Sequence, residues 1–167
     1  SGSLTLREPK GEMFGSLALR AGKLAKCQTG RLSGEEAFYQ LLERPRPGSF
    51  LFVRKDEAPS DTNRGMNREV LPLTLEGMRR YDEFQQSAAL VPDDASLKPT
   101  DVRPTPHPDE RDGILVKDLW TSIASSATPR QCETELKADS YRIRRMLAHW
   151  VEQGALTIAE APVAASS

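Results

Sequence analysis

Residues 92–110, PDDASLKPTDVRPTPHPDE, hold five prolines in nineteen positions. Each proline fixes φ and removes a backbone donor, so no helix and no central strand can run through this stretch. The chain therefore reads in parts. Residues 1–91 form a sheet-and-helix domain, and 92–110 a semi-extended, acidic linker with no capacity to bury a core. Residues 111–160 form a second, helical unit, and 161–167 a disordered tail. The length, 167 residues, suits one ordinary domain or two small ones. With 38% apolar and 6% aromatic residues, the cores are modest and divided.

The first part begins with alternation. SGSLTL, then Phe14 to Leu19, then Lys23 to Cys27 read as an antiparallel meander, with Ala21-Gly22 as the tight turn between the last two. Leu4 and Leu6 share one face at the period of two, as do Leu17 and Leu19. In LSGEEAFYQLLERPRPGSFLF, Glu35 and Glu36 raise the question of paired catalytic carboxylates. The spacing points to a helix start instead. Ser33 is a good N-cap and Glu36 stands three residues on, the spacing of a capping box. Glu35 lies in the first turn, where the helix dipole favours an anion by about 0.3–1 kcal/mol. Ala37, Phe38, Leu41 and Leu42 supply the apolar stripe of a helix over 34–43. Pro45 and Pro47 stop it, and Gly48 leads into a strand, SFLFV. Residues 56–67 are a polar loop. Leu71, Leu75 and Met78, with Tyr81 close to the same side, predict a helix over 70–86 with Pro72 in its first turn.

The second unit opens with GILVKDLWTSIAS, an amphipathic helix using Leu115, Leu119, Trp120 and Ile123. Thr128 caps the next helix, with Pro129 at its first position. A third helix places Ile143, Met146, Leu147, Trp150 and Val151 on one face, and Gly154 ends it. ALTIAEAPV supplies one short strand. Helix, short helix, longer helix and strand is the order of a winged-helix or helix-turn-helix unit. The expected fold class is α+β: a small antiparallel sheet packed on helices, followed by a winged-helix-like unit.

Several residues together resemble a known family. SGSLTL, GSLALRAGKLAKCQTGRLSGEEAFYQLL, GSFLFV, LEGMRRYDEF and the LVPDD behind it resemble the PATAN (PatA N-terminal) domain family of bacterial signalling proteins. Residues 111–156 look like the winged-helix module that often follows it. The resemblance implies a place beside receiver or other sensory domains, and links to surface motility, type IV pili, phototaxis and developmental patterning. It implies no catalytic residues and points to protein–protein adaptation. Family members usually begin with an apolar helix ahead of the first strand, whereas this chain starts at the strand. The expectation is an uncovered sheet face, filled by another protomer or by a neighbouring segment, because large exposed apolar patches are unusual on soluble monomers.

Two surfaces are candidates for contact. On the helix over 70–86, Met78, Arg79, Arg80, Tyr81 and Glu83 combine arginine with an aromatic, a mix that interface hot spots favour. Arg79 and Arg80 are expected to pair with Glu83 at i+4 and i+3. On the third helix of the second unit, Tyr141, Arg142, Arg144, Arg145 and His149 could face nucleic acid or a protein, since Arg142, Arg145 and His149 recur away from the apolar face. Charge weighs against nucleic acid. Formal net charge is −1, and residues 111–152 carry seven Lys/Arg against six Asp/Glu. A DNA binder usually neutralises several phosphates.

Other chemistry has no signal here. His107 and His149 lack a second ligand at metal spacing. The glycines match no phosphate-binding fingerprint, and no serine sits in an elbow motif. Cys27 and Cys132 read as reduced thiols. The expectation is a non-enzymatic signalling adaptor without cofactor or metal, cytoplasmic and not in a membrane. Its partner would be a protein or an upstream sensory or receiver domain, with a second copy of the chain as another candidate. The alternative is a DNA-binding transcription regulator acting through the C-terminal winged helix.

Overall fold

Alternating strands and short amphipathic helices build two units, Ser1–Tyr81 and Asp82–Ser167. A computed structural model describes residues 1–56 and 65–159. Most of the polar loop read at 56–67, and all of the tail read at 161–167, lie outside the described residues. The fold is α+β.

In the first unit, β1 (Gly2–Arg7), β2 (Met13–Arg20) and β3 (Lys23–Thr29) form the expected meander. Ala21 and Gly22 both have positive φ, 47° and 77°, which matches the right-handed twist of the flanking strands. β4 (Leu32–Ser33) leads into α1 (Gly34–Glu43), and β5 (Ser49–Arg54) and β6 (Arg68–Glu69) follow. The sheet order is β4-β3-β2-β1-β5, with β6 pairing to β3. All pairings are antiparallel.

A bulge decides which side chains reach the core. Ala18 pairs with Lys26, but Leu19 pairs with Leu24, so Ala25 has no opposite residue. The extra residue resets the alternation. It puts Leu24 on the same face as Cys27, and both are buried. The Ala25 carbonyl accepts instead from Met66 N at 3.0 Å. Leu24, Cys27, Leu32, Ala37, Phe38, Tyr39 and Leu73 form the core here, with Leu17, Leu19, Leu41 and Leu42 packed against it.

Helix α1 has the expected limits, but its start differs. Ser33 occupies the N-cap position without a side-chain hydrogen bond to the helix, so the capping box is not formed. Ser33 is held extended by pairing with Gln28, and Gly34 enters at φ +73°. Glu35 is engaged by Arg68, at 2.8 Å.

Helix α2 (Val70–Leu90) is four residues longer than expected, and the boundary between the units falls within it. The second unit continues with β7 (Ser96–Pro99), α3 (Gly113–Ala124), α4 (Pro129–Glu135), α5 (Ser140–Glu152) and β8 (Leu156–Ala159). Thr128 and Gln131 form a capping box at α4, with Pro129 in the first turn. Asp112 caps α3 by accepting from the Ile114 and Leu115 amides. Gly154, at φ +81°, turns the chain out of α5.

The proline-rich stretch is not a linker. Ala95 and Leu97 within it, and Val91 just before it, are buried in the second unit's core beside Leu119, Ile143, Leu147 and Trp150. β7 lies inside the stretch and pairs with β8, Leu97 opposite Ile158. The final strand therefore takes its partner from before α3. Beyond β7 the segment is strapped to α5. The Thr100 amide donates to the Ala155 carbonyl at 3.0 Å, and the Thr100 hydroxyl to the Gly154 carbonyl at 2.6 Å. Trp150 Nε1 donates to the Thr105 carbonyl at 3.0 Å. Prolines suit such a strap, since a residue without an N–H leaves no donor unsatisfied where no ladder is available.

Candidate functional site

Helix α2 presents two faces with different chemistry. Leu73 and Gly77 are buried one turn apart, and a Cβ on Gly77 would force the Leu42 Cδ1 methyl to move. Leu71, Leu75 and Met78 are on the other side, each with more than half its surface exposed, and Tyr81 is partly exposed. The stripe that betrays the helix in the sequence is thus its outer face.

Glu76 organises the charges beside that stripe. Arg79 Nη2 and Arg80 Nε both reach Glu76 Oε1, at 2.7 and 2.9 Å. Hydrogen bonding from Arg79 outweighs partial burial, and with the help of Arg80 holds the Glu76 carboxyl down at about 2. The acid that gathers both arginines is two turns before Glu83, the expected partner. In the second unit, the Glu83 carboxylate accepts from the Tyr141 hydroxyl. Arg80 is mostly buried and stacks its guanidinium 4.0 Å from the Tyr39 ring centroid. Its role is to hold α2 onto the first unit's core. Of the expected docking residues, Met78, Arg79 and Tyr81 remain at the surface. Leu71, Leu75 and Glu76 join them. The i, i+4, i+7 spacing of Leu71, Leu75 and Met78 is legible in the sequence, but periodicity alone does not tell an inner stripe from an outer one.

The α5 cluster is arranged otherwise than a nucleic-acid surface requires. Arg144 is fully buried, donating to the Val91 carbonyl at 2.6 Å, Asp93 Oδ1 at 2.8 Å and Glu133 Oε1 at 2.7 Å. Its guanidinium also lies 5.6 Å from the Phe84 ring centroid. Tyr141 is buried. Arg142 forks onto Glu110, with Nε and Nη2 at 3.0 and 2.8 Å from its two oxygens. Arg145 stacks on Tyr141 at 4.8 Å, and its Nη2 comes within 3.9 Å of Glu110 Oε2.

His149 meets His107 edge to face, centroids 5.4 Å apart. Burial, reinforced by the charge on Arg145, lowers the His107 pKa. Glu110 and His107 both belong to the proline-rich strap, which therefore covers the outward side of α5. Asp109 and Glu110 at the end of that stretch were the available signal: two acids in sequence reach of an arginine-rich helix.

No helix among the described residues is long and apolar enough to cross a membrane. Among the described residues, no group of three or more His, Cys, Asp or Glu is placed to hold a metal ion. Compared with known proteins, the chain matches no family model, no curated protein and no solved structure.

Proposed function

We propose that this chain is a non-enzymatic adaptor of the PATAN kind in a bacterial cytoplasm, passing the state of a sensory or receiver domain to a protein partner in motility, pilus or developmental control. The observation that carries the reading is the outer face of α2, where Leu71, Leu75 and Met78 are exposed in line beside the Glu76–Arg79 pair. A row of apolar side chains on a rigid helix, bordered by fixed charges, is the form that helix-in-groove recognition uses. The competing DNA reading would require Arg142 and Arg145 to leave Glu110, and the strap to lift from α5.

The test is a photo-crosslinking residue placed at Met78 of the full-length protein in its native cell. Trapping of a defined protein there, and not from exposed Lys98, supports the adaptor. Absence of any protein adduct at Met78, or duplex DNA binding that weakens steeply with salt, overturns it.

A further inference from the structure

SFLFV contains no polar residue after its serine, so as a strand it is apolar on both faces. Strand β5 is the last in the sheet order and pairs only with β1 among the described residues, Phe50 opposite Leu6 and Phe52 opposite Leu4. Among the described residues its other edge has no partner strand. Phe50 is 74% exposed, Leu51 56%, Phe52 48% and Val53 47%. Phe50 and Phe52 continue the face that carries Leu4 and Leu17, but the core under α1 is centred on β3, at the far side of the sheet. An apolar strand edge without a ladder partner is a template for another strand.

We propose that β5 pairs antiparallel with β5 of a second copy about a two-fold axis through Leu51, joining the two sheets into one. The register follows from symmetry. Residues facing each other across an antiparallel pair lie on the same side of the sheet, so a continuous sheet must have its axis at a residue. At Leu51 the axis sets Leu51 against its own copy and Phe50 against Phe52 of the second copy, twice. All four phenylalanines then line one face, the aromatic cross-strand pairing that stabilises sheets. Centred on Phe52 instead, the axis would put Phe50 against Arg54. For the residues of β5 the register opposes Arg54 to Gly48 of the second copy, so no two like charges stand directly opposite. Pro45 and Pro47 limit the paired edge on one side.

The four side chains expose roughly 400 Å² per copy, judged from side-chain size. About 800 Å² for the pair, with all four side chains covered, is below the roughly 1,000 Å² that a stable interface needs, so the dimer is weak and concentration-dependent. This pairing is independent of the outer face of α2.

Sedimentation equilibrium of the 167-residue chain from low micromolar to near millimolar tests it. A monomer–dimer equilibrium is expected, weakened about tenfold or more by Leu51→Lys, which sets two ammonium groups against each other across the axis. Circular dichroism checks that the variant folds. Independently, Leu51→Cys should form a disulfide-linked dimer under mild oxidant much faster than Gln28→Cys, which lies on exposed β3 surface. A monomer throughout the range overturns the proposal, whether or not that monomer binds an added strand peptide. So does a dimer indifferent to Leu51→Lys, or equal crosslinking of the two cysteine variants.

Discussion

Arg144 and Glu133 form an ion pair 2.7 Å long in which the guanidinium has no contact with solvent. Asp93 closes the other side at 2.8 Å, so one cation joins the α2–β7 connection to α4. Removing Arg144 takes the main cation from the mostly buried Glu133, while Asp93 keeps Arg130, and breaking a buried pair in this way costs about 3–5 kcal/mol. Arg144→Ala is expected to split calorimetric unfolding into two transitions, the second unit melting first. Arg144→Lys should recover only part of the loss, because an ammonium cannot supply the fork that reaches Val91, Asp93 and Glu133 together. A single unshifted transition for Arg144→Ala would contradict this account.

Glu110 ties the strap to α5 and gives the second unit an acid limit. Burial pushes its pKa up, but the hydrogen bonds from Arg142 and the Asp112 amide, with the charges of Arg142 and Arg145, hold it below the ordinary value. A lowered folded pKa gives stability that is complete above the unfolded value, about 4.3, and lost as pH falls through the folded one. Glu110→Gln should therefore flatten the acid limb of a stability–pH profile. At neutral pH it should cost about 1.5–3 kcal/mol, the worth of hydrogen bonds to a charged group. Urea titrations between pH 3 and 7 measure both.

Cys27 and Cys132 are both buried free thiols, pushed up to about 11 chiefly by burial. Since thiolate is the reactive form, both should be slow towards a thiol reagent at pH 8 and react at once in denaturant. Their raised folded pKa values stabilise the protein below the unfolded value, about 8.5, and that contribution is lost as pH rises through the folded value. A native-state labelling rate near that of unfolded protein would show that the thiols are accessible.

The two faces of α2 should respond oppositely to truncation. Leu73→Ala removes a core side chain and should cost about 2–5 kcal/mol. Leu75→Ser and Met78→Ser should change stability by no more than about 0.5 kcal/mol. Denaturant midpoints of the three variants decide whether the exposed stripe is free for binding.

Local chemistry was the legible part of this molecule. The limits of α1, the Ala21-Gly22 turn, the Thr128-Pro129 helix start and the Gly154 stop each depend on residues a few positions apart, and each stands where the residues placed it. What escaped depends on distant partners. β7 is four residues ending in Pro99, too short to announce itself, and exists because β8 supplies its ladder sixty residues later. The arginines of α5 look like a solvent-facing set until Asp93 and Glu110 are brought against them. On α2, leucines at helical spacing suggest an inner face, yet a single buried Leu73 and the bare Gly77 decide which side packs.

Trp120 and Trp150 stand edge to face, their centroids 5.1 Å apart, and the chain has no other tryptophan. Light absorbed at the red edge of the ultraviolet band thus illuminates only the helical half. Quenching or a spectral shift of that emission reports what happens around α3 and α5, while the sheet is dark at those wavelengths. An unmodified sample accordingly carries its own optical label on one of its two halves.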